Sequence, residues 1–100
     1  MNENVHKIEN KNITRQLVIR NKRGLHARAS AKFVQMVDGF DATVEVEKDG
    51  QTVGGNSIMG LMMLAASLGS SITVTTSGPQ AEEVLDALEK LIEEKFGEES

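Results

Sequence analysis

The chain has 100 residues, 39% of them hydrophobic and 26% charged, a globular balance with room for a single core. A formal net charge of −4 argues against nucleic acid as a partner, and three aromatics, all Phe, leave almost nothing on which to stack bases. The chain contains no cysteine, which excludes disulfides, thiolate chemistry and cysteine-ligated metals.

Residues 1–12 read as a polar leader without the apolar segment of a secretory signal, so a cytoplasmic location is expected. Residues 13–20 (ITRQLVIR) predict a strand with Leu17 and Ile19 on one face. The polar loop NKRG follows. Residues 27–37 (ARASAKFVQMV) have a helical period: Phe33 and Val37 are four apart, Val34 widens the stripe, and Arg28, Lys32 and Gln35 face out. Residues 42–48 alternate, Ala42, Val44 and Val46 inward, and predict an antiparallel strand wet on one face. Asp49-Gly50 suits a tight hairpin leading into a short strand at 51–53.

Residues 57–66 predict a short helix, and residues 71–76 alternate again. In the last segment Ser77 and Gln80 have capping-box spacing, and Pro79 fits a first helical turn. Glu82 and Glu83 suit the positive end of that helix's dipole, Lys90 and Lys95 the negative end. Its buried stripe is Ala81, Val84, Leu85, Leu88, Leu91, Ile92 and Phe96. The order βαββαβα predicts an α+β open-faced β-sandwich over residues 13–97: a four-stranded antiparallel sheet with three helices on one face. The apolar stretch 58–66 is far short of the roughly 20 residues a membrane span needs, so no membrane insertion is expected.

Two histidines are present. His6 in the leader reads as a solvated tail residue. His26 lies at the start of the 27–37 helix, and taken alone it could simply end a loop. Its neighbours favour more. Arg28 and Lys32 occupy the first turns with no acid among them, and Arg20, Lys22 and Arg23 lie just upstream. Cations at a helix N-terminus oppose the macrodipole by about 0.3–1 kcal/mol each, whereas the C-terminal helix obeys the dipole. This arrangement makes sense if an anion binds there, phosphate above all, either passing or held covalently on His26. Those positive fields disfavour imidazolium, and a neutral imidazole is a nucleophile. A carrier must also release its group: about 1.4 kcal/mol of extra product stabilisation costs tenfold in onward transfer. One arginine and a few amides are suitably modest. No metal or other cofactor is expected.

The 57–66 segment holds three of the five methionines and is apolar nearly all round. Leu61, Leu64 and Ala65 read as core. One sheet face cannot absorb every side of a helix, so Ile58, Met59, Met62 and Met63 are expected to form an adaptable exposed patch for docking partners. Ser57 precedes the run as an N-cap, with regulation as a second role open to it.

The run Gly24-Leu25-His26-Ala27-Arg28-Ala29-Ser30-Ala31-Lys32-Phe33-Val34 resembles the active-site signature of HPr, the histidine-containing phosphocarrier family of the bacterial phosphoenolpyruvate-dependent phosphotransferase system. Asn56-Ser57-Ile58-Met59-Gly60-Leu61-Met62 is similar to that family's regulatory-serine region, and the likeness runs over most of residues 13–96. The resemblance implies that His26 takes phosphate on Nδ1 from phosphorylated enzyme I and passes it to IIA proteins, with Arg28 as the neighbouring cation. It implies that Ser57 is phosphorylated where the cell has an HPr kinase/phosphorylase, and that partners dock beside it. A free monomer is expected from such serial exchange. Ala29 stands where these proteins commonly have proline, which restores an N–H donor and leaves sugar uptake and a nitrogen-related branch (carrier NPr) both open. A regulatory binding protein governed by phospho-Ser57 is compatible with the carrier reading. A phosphate hydrolase is not favoured, because the helix start offers no carboxylate to act as a base.

Overall fold

The structure, a computed structural model, describes residues 12–100; the leader over residues 1–11, His6 included, lies outside the described residues. Four strands and three helices follow in the order β1 (Asn12–Val18), α1 (Ala27–Asp38), β2 (Thr43–Lys48), β3 (Gln51–Gly54), α2 (Ile58–Met63), β4 (Ser71–Ser77) and α3 (Ala81–Glu93), with a closing 3₁₀ turn at Lys95–Gly97. The sheet order is β1-β4-β2-β3 and every pairing is antiparallel. The fold is the expected open-faced α+β sandwich.

Alternation decides which face is covered. Leu17 on β1, Val44 and Val46 on β2, and Ile72, Val74 and Thr76 on β4 are buried, while their neighbours point outward. Ala29, Phe33 and Val37 on α1 and Val84, Leu85, Leu88 and Ile92 on α3 close over that face into one core. The Asp49-Gly50 hairpin forms as its residues demand, both with positive φ (52° and 82°). Arg15 of β1 reaches Asp86 (2.9 Å) and Glu89 (2.7 Å) on α3, a link no local pattern announced.

Three local expectations are corrected. Ser77 and Gln80 form no capping box: Ser77 is still paired within the sheet, and the Gln80 side chain instead accepts a hydrogen bond from the Asp41 backbone N–H at 2.7 Å. The second helix ends at Met63 rather than 66. Ala65 turns to a positive φ of 53°, which exposes it and buries Ala66 in its place. Phe96 is buried as expected, but not by a continuing helix. α3 stops at Glu93, and positive φ values at Lys95 (59°) and Phe96 (55°) fold that ring back into the core.

Candidate functional site

The loop before α1 is shaped by close backbone contact. Gly24 has φ 65°, and a Cβ there would lie 2.3 Å from the Ala66 carbonyl oxygen. The next residue, Leu25, donates its N–H to that same oxygen at 2.9 Å. Fully buried Asn21 donates to the Gly24 carbonyl at 2.8 Å, and buried Ser30 donates to the Leu25 carbonyl at 3.1 Å. These contacts fix where α1 begins.

His26 is the N-cap of α1: its backbone is extended, and its Nδ1 accepts from the Arg28 N–H at 3.3 Å. The Ser30 N–H closes the first turn on the His26 carbonyl at 2.9 Å. The first turn carries no acid, as the sequence indicated. Arg20, Lys22, Arg23 and Arg28 are exposed, whereas Lys32 donates to the Phe96 carbonyl at 2.6 Å.

The expectation of a carboxylate-free helix start is overturned. Beyond Phe96 the chain runs back across the site, and Glu98 places Oε2 2.6 Å from His26 Nε2. Its other oxygen accepts from Asn21 Nδ2 at 3.1 Å. The Ser100 carbonyl accepts from the Lys22 N–H at 3.0 Å, so residues 96–100 form a strap pinned at Lys32, Asn21, His26 and Lys22. The His26 and Glu98 side chains are only 16% and 17% exposed. Burial raises the Glu98 pKa, but hydrogen bonds from His26 and Asn21 and the charges of His26 and Arg23 outweigh it, holding the carboxyl below its ordinary value.

Partner chemistry assigns the tautomer. A carboxylate can only accept and a backbone N–H can only donate, so in its neutral form the ring carries its hydrogen on Nε2 and its lone pair on Nδ1. Neither Glu98 nor Asn21 was legible as a site residue. Glu98 lies 72 residues from His26, and glutamate near the end of a chain carries no local signal.

Ser57 caps α2, its Oγ accepting from the Gly60 N–H at 2.9 Å. Ile58, Met59, Met62 and Met63 are exposed on one stripe of that helix, Met59 at 69% and Met63 at 64%, while Leu61 and Leu64 enter the core. Leu68, 55% exposed, adds a further apolar side chain beyond the helix that the sequence reading missed. The Leu25–Ala66 bond ties the loop after α2 to the loop before α1. Ser57 sits at the far end of α2, across six residues and about 9 Å of helix. Among the described residues, no group of three or more His, Asp or Glu side chains could hold a metal, and no helix is long and apolar enough to cross a membrane.

Residues 13–94 match the family described as PTS HPr component phosphorylation site. The chain belongs to the HPr family. HPr proteins are phosphocarriers of the phosphotransferase system. The chain is 49% identical over 86 residues to the phosphocarrier protein HPr of Cupriavidus necator, covering 86% of this chain and 97% of that one. It is 38% identical over 88 residues to the phosphocarrier protein NPr of Shewanella violacea, covering 88% and 97%. A solved HPr structure from Thermoanaerobacter tengcongensis superposes with a TM-score of 0.81 at 46% identity, covering 90% of this chain and 99% of that one. In this HPr, Ala29 is fully buried within α1, so the helix forms without a proline at that position.

Proposed function

We propose that this HPr accepts a phosphoryl group on His26 Nδ1 from phosphorylated enzyme I and delivers it to IIA proteins. The observation that carries this reading is the setting of the His26 ring: its Nδ1 faces the Arg28 N–H, the contact that assigns a lone pair there, at the start of a helix whose first turn holds Arg28 and no acid. Once Nδ1 bonds phosphorus it can no longer accept from the Arg28 N–H, and that amide becomes a donor for a phosphate oxygen. The exposed Arg28 guanidinium supplies the neighbouring charge. Two such donors on an accessible helix end hold the group without trapping it. The protein is a carrier that forms a phosphohistidine, not a catalyst of net turnover.

Ile58, Met59, Met62 and Met63 form the docking patch, and Ser57 is its regulatory phosphorylation site where an HPr kinase/phosphorylase is present. Phosphate there adds about −1.5 to −2 charge beside the patch. The phosphocarrier domain spans residues 13–97 after a leader over 1–12, and the protein works as a cytoplasmic monomer. Incubation with phosphoenolpyruvate and enzyme I should yield one acid-labile, base-stable phosphate per chain. His26→Ala should abolish it, and undiminished labelling of that variant would refute the assignment. Arg28→Ala should slow transfer by about tenfold, the loss of one charge-assisted hydrogen bond.

A second reading, service in a nitrogen-type branch, draws support from the NPr relative. It predicts faster delivery to a regulatory IIA protein than to a sugar-specific one.

A further inference from the structure

Every partner of the His26 ring on the Nδ1 side comes from its own helix, but the Nε2 side is held by a residue 72 positions away. That contact is built rather than incidental. The carboxylate is fixed by a donor on each oxygen, His26 Nε2 at 2.6 Å and fully buried Asn21 Nδ2 at 3.1 Å. Asn21 is in turn anchored to the Gly24 carbonyl, so the loop that positions His26 also positions its carboxylate partner. The backbone on either side is fastened, Phe96 by Lys32 and Ser100 by Lys22.

We propose that Glu98 is the positioning residue of the phosphorylation site: it holds the His26 tautomer with hydrogen on Nε2, and it balances the charge that the ring gains as Nδ1 bonds phosphorus. This rests on the reading of His26 as the phosphorylated residue. In the step, the Nδ1 lone pair forms the bond to phosphorus while the donor's bond to phosphorus breaks and its electron pair stays with the donor. The His26 ring, still carrying its Nε2 hydrogen, is then formally cationic. The Glu98 carboxylate faces that hydrogen, so it stabilises the charge as it develops. In onward transfer the electron pair returns to Nδ1 and the neutral ring leaves, past the same carboxylate. The full charge sits on the phosphorylated ring, so the carboxylate favours acceptance, and any extra stabilisation it gives that state slows onward transfer.

The test uses the full chain with His6→Gln, so that a single ¹⁵N-labelled imidazole is observed, in three versions: Glu98, Glu98→Gln and Glu98→Ala. Single-turnover phosphoryl transfer from phosphorylated enzyme I is read beside the ring ¹⁵N shifts of the unphosphorylated protein. With Glu98 the shifts should report hydrogen on Nε2 and a lone pair on Nδ1. Glu98→Ala leaves the Arg28 N–H as the ring's remaining partner, so the share of the tautomer with hydrogen on Nδ1 should rise, and transfer should slow by about tenfold, the loss of a hydrogen bond to a charged group. Glu98→Gln retains an acceptor and should keep the tautomer with an intermediate rate. Unchanged transfer in Glu98→Ala would overturn the proposal, as would slowed transfer in that same variant with the tautomer unaltered. Failure of the Glu98 protein itself to take phosphate would instead overturn the carrier reading, and with it the role of Glu98 in transfer.

Discussion

In the proposed function His26 has two jobs for one nitrogen. As an N-cap, Nδ1 satisfies the Arg28 N–H, one of the amides a helix start leaves without a partner; as the proposed nucleophile, it must give that bond up. The cost of uncapping is recovered if the freed amide turns to the incoming anion, so capping keeps the ring in place until a phosphoryl group arrives. Ser57 is the counterpart on α2, where a hydroxyl caps the Gly60 N–H. A six-residue helix has few internal bonds, so it depends on that cap. Ser57→Ala is expected to lower stability by about 1 kcal/mol in urea denaturation, and Ser57→Asp, which can still cap, by less. Equal losses would show that the hydroxyl's capping bond contributes little.

At the scale of elements, the site is where two loops touch. The turn before α1 and the turn after α2 meet at the Ala66 carbonyl, against which Gly24 packs without a side chain and to which Leu25 donates. The apolar stripe of α2 and the imidazole of α1 are thereby linked through a backbone contact rather than left to independent side chains. Gly24→Ala must place a Cβ 2.3 Å from that oxygen while holding a φ of 65°. The left-handed conformation alone costs roughly 1–2 kcal/mol. We expect a loss of stability above that figure, together with altered ¹⁵N shifts at His26, because the clash falls two residues before the cap. A variant that lost stability without disturbing the ring would separate the loop's packing from its role in placing His26.

At the scale of the whole molecule, the last residues complete the site. The folded state holds the Glu98 proton less tightly than the unfolded chain, whose ordinary value is 4.5. The stabilisation this carboxylate provides is therefore fully present above that value, and it is lost as pH falls through the lower folded-state value. Between about pH 5 and pH 3, the Glu98 protein should lose more stability than Glu98→Gln in denaturation measured at each pH. Parallel pH profiles would show that the strap is not held by this charge.

Much of this was present in local pattern. Alternation at 42–48 and 71–76, the helical stripe from Phe33 to Val37, and the acid-free start of α1 all depend on neighbours in the chain. A residue's intrinsic preference and its solvent-facing period are set within a few positions, so strand, helix and N-cap could be read directly, with His26 and Ser57 as the caps of α1 and α2. What lay beyond reach was every contact made by chain reversal: Arg15 with Asp86 and Glu89, the left-handed turn that buries Phe96, and Glu98 on the far side of the imidazole. Closing a loop of 72 residues is favourable only when the core has already brought its ends together. The amino-acid order thus determined where the helix begins and which residue caps it, while tertiary packing alone decided which carboxylate would stand opposite that residue's ring.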